Sequence, residues 1–114
     1  MRQINPRSLT ERIRIEARAT ADNSLGEEVG AWEPIHVGSL WAKAEPIRSR
    51  ELVAADQIQS AGDTRFTIRF RDGVLPSMRV VWRGKPYDII GEPIDIEARR
   101  QWLEMTCTTG LRSG

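Results

Sequence analysis

The feature that most constrains this chain is a two-residue periodicity that recurs in short runs. It is clearest in TRFTIRFR, residues 64–71, where Phe66, Ile68 and Phe70 fall on one side and Arg65, Thr67, Arg69 and Arg71 on the other. Successive side chains of a strand point to opposite faces, so the run predicts a half-buried strand whose arginine-rich face meets solvent or a partner. Glu11 to Ala17 repeats the pattern, with Ile13, Ile15 and Ala17 set against Arg12, Arg14 and Glu16. Val37 to Glu45 sets Leu40, Ala42 and Ala44 against Trp41, Lys43 and Glu45, and Pro46, which has no ladder donor, stops it.

Turn chemistry punctuates the rest. Met78–Trp82 and Tyr87–Ile90 flank Arg83-Gly84-Lys85-Pro86 and read as a hairpin around a tight turn. Asp72-Gly73 and Pro76 mark an irregular connection, Ile94 to Ile96 an edge or turn, and Trp102–Thr108 a last strand with Leu103, Met105 and Cys107 inward. Between the second and third strands, Ser49 suits an N-cap, Glu51 the first turn, and Ala54, Ala55 and Ile58 fall at helical spacing before Gly62. Thr20 to Gly30 reads as a mobile loop, and residues 109–114 as a flexible tail. The expectation is one mainly-β domain over 1–114. About six strands, with one short helix inserted between the second and third, suggest a small barrel or sandwich.

Composition narrows the chemistry. With 39% hydrophobic and 29% charged residues the chain is globular, and a net charge of +1 argues against a strongly basic nucleic-acid binder. One cysteine, Cys107, excludes an internal disulfide framework and a multi-cysteine zinc site; one histidine, His36, makes a histidine triad or metal cage hard to build. Glu27 with Glu28, and Glu92 with Asp95, lack ligand spacing, and RGKP at 83–86 lacks the following helix of a phosphate cradle. Neither catalysis nor a cofactor nor a metal is expected. No window approaches the ~18 apolar residues of a membrane span, which points to a soluble chain made in a reducing cytoplasm.

Contact residues stand out better than catalytic ones. Fifteen arginines against two lysines, Lys43 and Lys85, favour planar, bidentate pairing at interfaces. Trp32 beside the acidic loop and Trp102 beside Arg99 and Arg100 are the better contact tryptophans, since tryptophan and arginine are enriched at interface hot spots. A row of Arg65, Arg69 and Arg71 suits carboxylates of a neighbouring subunit better than duplex phosphates, given the near-neutral net charge.

Several segments in order carry a resemblance: WAKAEP (41–46), then Glu51, Ala55 and Gln57, FTIRFR (66–71), Pro76, MRVVWRGKPYDIIGEPID (78–95) and RRQWLEMTC (99–107). From about Leu9 to Cys107 the chain resembles the head-closure, or head–tail joining, connector proteins of long-tailed phages and prophages. The resemblance implies a small SH3-like β-barrel with that inserted helix, and a structural virion protein at the head–tail interface, assembled in the host bacterial cytoplasm. It would form a ring of its own copies beneath the portal and its adaptor, close the DNA-filled head, and dock the tail or a tail-completion protein. Duplex DNA would pass without sequence-specific binding. In that setting Arg65, Arg69, Arg71, Trp32, Glu27, Glu28 and Trp102 are expected at subunit or partner contacts. The segment 47–63, with Arg48, Arg50, Glu51, Gln57 and Gln59, is expected to face the channel and to be mobile in the free chain. The alternative is a small β-barrel binding module for a peptide or nucleic acid, with an aromatic groove such as Trp41, Trp82 and Tyr87.

Overall fold

A computed structural model of the chain describes residues 4–18, 30–47 and 63–109. These form β1 (Glu11–Arg18), β2 (Trp32–Pro34), β3 (Leu40–Pro46), β4 (Thr64–Arg69), β5 (Arg79–Trp82), β6 (Lys85–Ile89), β7 (Ile94–Asp95) and β8 (Trp102–Thr108). Six of them close a barrel in the order β1-β3-β4-β8-β6-β5, with β5 returning to β1; β2 adds to β1 and β7 to β8. All pairings are antiparallel. The mainly-β barrel expected from the sequence is the fold observed.

The alternating residues build the interior as their period requires. Ile13, Ile15, Ala42, Phe66, Ile68, Val80, Met105 and Cys107 are wholly or almost wholly buried, and Leu103, Tyr87 and Ile89 nearly so. Phe66 anchors an aromatic cluster, meeting Trp82 and Tyr87 edge-on with 5.5 Å between ring centroids in each case. Edge-to-face packing sets the positive rim of one ring against the negative face of the next. Trp82 closes the rim of this cluster, and its indole N–H donates to Glu11 Oε1 at 2.9 Å. That bond, with Arg83 beside it, holds the Glu11 carboxyl below the usual glutamate range.

Several local expectations change. The second predicted strand begins at Leu40 rather than Val37, because Gly38 turns the chain at φ +67° and Val37 is left 99% exposed. The three-residue β2 is too short to show a period and is not legible from pattern. The hairpin turn is only Arg83-Gly84, both at positive φ (53° and 75°), as a two-residue turn between right-twisted strands demands. Lys85 and Pro86 already belong to β6, which meets β8 only at Asp88 and Ile89, so the missing N–H of Pro86 leaves no ladder bond unmade. The outer face of β4 is not uniformly solvated either. Thr67 is fully buried, flanked by Lys43 on β3 and Glu104 on β8, whose long side chains cover it. The predicted helix between the second and third strands, nearly all of the 20–30 loop and the tail beyond Thr109 lie outside the described residues. What is visible is the base of the 48–62 excursion: Ile47 N–H donates to Asp63 O at 3.1 Å, one step beyond the Pro46–Thr64 pair.

β1 is the strand on which closure turns. Glu11–Ile13 pair with β3, Ile13–Glu16 with β5, and Glu16–Arg18 with β2. On the edge shared by β3 and β2, Ile15 falls in the gap between the two partners. Its carbonyl accepts from Ile35 N–H at 3.0 Å, and its N–H donates to His36 Nε2 at 3.0 Å. The imidazole thus stands in for a strand carbonyl, which requires an unprotonated Nε2. Burial, and after it the positive charges of Arg71 and Arg14, hold the His36 pKa below its ordinary value.

Two outcomes follow. Since the folded chain binds a proton at His36 only below the pH at which the unfolded chain does, stability is complete above about pH 6.5 and falls as pH drops below it. The thermal midpoint is expected to decline between pH 7.5 and 5, and His36→Gln, whose amide oxygen accepts without titrating, to flatten that decline. At the hairpin, a methyl on Gly84 meets nothing within 4 Å, so Gly84→Ala has only a backbone cost. It should lower the unfolding free energy by about 1–2 kcal/mol in a denaturant titration.

Candidate functional site

The outer faces of four neighbouring strands bring arginine and aromatic residues into one band. Arg12 on β1 sits opposite Trp41 on β3, donates from Nε to Ser39 Oγ at 2.7 Å, and lays its guanidinium 4.3 Å from the Trp41 ring centre. Two residues past the Lys43–Thr67 pair, the β3–β4 register brings Trp41 beside Arg69. Arg69 in turn faces Trp102 on β8, 5.0 Å from its ring centre. Arg100, just before β8, lies 5.8 Å from the Phe70 ring. The order across the sheet is Arg–Trp–Arg–Trp.

Beside this band lies an open groove of about 770 Å³ between the N-terminal segment Pro6–Thr10, the start of β3 and the end of β4, with Trp41, Ile68, Arg69, Phe70 and Arg71 in its wall. A smaller hollow of about 400 Å³ adjoins it through Arg69 and Phe70 and adds Arg100, Gln101 and Trp102. Neither lining contains a carboxylate. Trp41 is 53% exposed, which is unusual for so large an apolar group.

Charge separates this face from the rest of the barrel. Arg14 and Arg79 both hold the buried Glu16, at 2.6 and 2.9 Å; Arg83 holds Glu11 at 3.1 Å, and Arg65 lies 3.8 Å from Glu104. Among the described residues, by contrast, Arg12, Arg69, Arg71 and Arg100 have no carboxylate within ion-pair distance. The Nε of Arg71 is moreover shielded from solvent and has no acceptor. A guanidinium stacked on a ring keeps its N–H edge free, so the band can grip planar oxyanions while its rings bury apolar surface. Cys107 is buried on the inner side, where desolvation and then Asp88 push its thiol far up and keep it protonated; His36 is committed to the Ile15 N–H.

The residues singled out from the sequence divide. Arg69, Arg71 and Trp102 converge on the groove and its adjoining hollow. Arg65 stands apart, half-buried beside Glu104. Trp32 lies near the far end of β1, opposite Arg18, with Arg79 4.4 Å and Arg18 5.9 Å from its ring. Glu27, Glu28, Arg48, Arg50, Glu51, Gln57 and Gln59 lie outside the described residues. Pattern alone missed Arg12, Phe70 and Arg100 as members of this face; Trp41 figures in the alternative aromatic groove, but its companions there, Trp82 and Tyr87, pack against Phe66 at the core instead. Trp41 does alternate with the core residues of its strand, a signal of outward orientation, but only the strand order sets Arg12 and Arg69 on either side of it.

Comparison with known proteins adds the family. The chain is 26% identical over 100 residues to the head completion protein gp16 of Bacillus phage SPP1, covering 88% of this chain and 89% of that protein. The solution structure of protein SF1141 from Shigella flexneri 2a superposes with a TM-score of 0.74 at 28% identity, covering 96% of this chain and 100% of that one. A family profile described as phage head completion protein matches residues 4–110. With a barrel of the same architecture and a match along nearly its whole length, the chain belongs to the phage head completion protein family.

Proposed function

We propose that this protein completes the phage head by assembling as a ring at the head–tail interface, where it closes the DNA-filled head and offers the tail its docking surface. Membership of the family makes it a structural component of the virion that works through other head and tail proteins. The finer reading adds a ring of identical copies, a portal or adaptor protein on the head side, and a tail or tail-completion protein on the other. The observation that carries it is the family match over residues 4–110. The arginine–aromatic face supports it, because a ring needs two different surfaces per subunit, one fitting the other on the next copy.

Charge is consistent with a passage for DNA. At a net +1 the subunit as a whole carries almost no excess positive charge, and a channel that gripped phosphates would hold its duplex in a salt-dependent way. The excursion 48–62, which carries Arg48, Arg50, Glu51, Gln57 and Gln59, starts and returns at the stapled Ile47–Asp63 base and is assigned to the channel side. The 114-residue chain acts here by fit and surface pairing, as a structural protein rather than an enzyme.

The decisive assay uses DNA-filled heads from an infection lacking this protein. Added wild-type chain should stop DNA leakage and restore tail joining in proportion to the amount supplied; heads that leak equally with and without it would end the proposal. On incorporation, amides of residues 48–62 should exchange more slowly, while those of the barrel strands stay as slow as before. Unchanged exchange in 48–62 would remove that segment from the channel.

A further inference from the structure

The groove faces an unanswered charge. Arg69 and Arg71 line it, Arg100 lines the adjoining hollow and Arg12 stacks on its Trp41, none of them with a carboxylate within ion-pair distance among the described residues, and the Nε of Arg71 is closed off from water with no acceptor. Elsewhere on the same barrel Glu11, Glu16 and Glu104 lie against arginines, so acids are not scarce in this chain; on this face none pairs with a guanidinium, and Asp95 accepts from the backbone N–H of Arg100 at 2.9 Å. Exposed Trp41, with Phe70 and Leu40, adds an apolar floor. The occupant should therefore be a short segment combining several carboxylates with one or two aliphatic side chains.

The chain itself contains three such segments, of which 51–63 is assigned above to the channel side and 91–98 is built into its own barrel by the pairing of β7 with β8, which leaves 19–29. Residues 19–29 read ATADNSLGEEV: Asp22, Glu27 and Glu28 give a charge of −3 with no basic residue, and Leu25 and Val29 are aliphatic. Its own barrel could receive it only at nearly full stretch, side chains included. Glu27 is five residues from Trp32, a span of at most about 17 Å fully extended. Trp32 pairs with Arg18, six residues along β1 from Arg12 and so about 20 Å from the near edge of the band. We infer that the groove binds the acidic segment 22–28 of a neighbouring copy, with Glu27 and Glu28 on Arg69 and Arg100 and Leu25 against the rings. Such a contact is heterologous, groove on one copy and segment on the next, which is the kind that closes a ring. It rests on the ring proposed above and specifies its subunit contact.

Charge reversal separates this idea from its parent. Two full-length variants are needed, Arg69→Glu with Arg100→Glu in the groove and Glu27→Arg with Glu28→Arg in the segment, each checked for an unchanged thermal midpoint. Each alone should complete deficient heads at least about tenfold less well than wild type, as reversed interfacial charges do. An equimolar mixture should recover activity, because a reversed groove then meets a reversed segment on another copy. Combining all four changes in one chain should recover it too.

Recovery in the combined chain but not in the mixture would mean that each copy fills its own groove, which overturns the inference. A defect in the groove variant alone would assign the groove to carboxylates of a different protein. Full activity of both variants would remove the groove from assembly while leaving the proposed function intact. That function fails only if wild-type chain does not complete the heads.

Discussion

Closure of this barrel depends on β1 having its backbone answered on both edges. A strand buried in a closed sheet cannot leave N–H or C=O groups bare, since each unmade bond costs about 1–3 kcal/mol. β1 spans eight residues and outlasts β3, so β2 and the Ile35–His36 link must take over where β3 ends. His36 completes that relay from the side chain, and β5 seals the other edge from Ile13 to Glu16. The chemistry of the lone histidine is therefore structural: its neutral form supplies an acceptor that no main-chain carbonyl supplies at Ile15.

The arginines show the same economy on the outside. Glu16, only 4% exposed, is tolerable because Arg14 and Arg79 both reach it, and Arg79 also caps Trp32. Each of the four tryptophans carries at least one guanidinium, so ring and cation shield each other from full hydration. Where a carboxylate completes the arrangement, as at Glu11 and Glu16, the cluster is finished within the subunit. Around Trp41 and Arg69 no carboxylate among the described residues completes it, and that difference is what the proposed subunit contact rests on.

Much of this architecture is legible as period and punctuation. Phe66, Ile68, Leu103, Met105 and Cys107 announce their side of the sheet because a strand offers only two sides. The β8 boundaries, the hairpin near Gly84 and the outward row of β4 follow from the same rule. Three residues at β2 carry no readable period, and the Val37 end of the second run mimics a strand until Gly38 reverses the chain. Thr67 looks solvated by alternation, but its neighbours on β3 and β8 bury it, and those neighbours are unknown until the strand order is known.

By itself, then, the order of residues decides the class of fold, since strand periodicity depends on local spacing. It also sets Arg65, Arg69, Arg71 and Trp41 opposite the core residues of their strands. Which arginine meets a carboxylate and which is left to meet a partner is decided only when β1, β3, β4 and β8 are laid side by side. Arg12 and Trp102 are ninety residues apart in the chain yet stand at the two ends of one band, because antiparallel register, not sequence distance, sets the separation of side chains across a sheet.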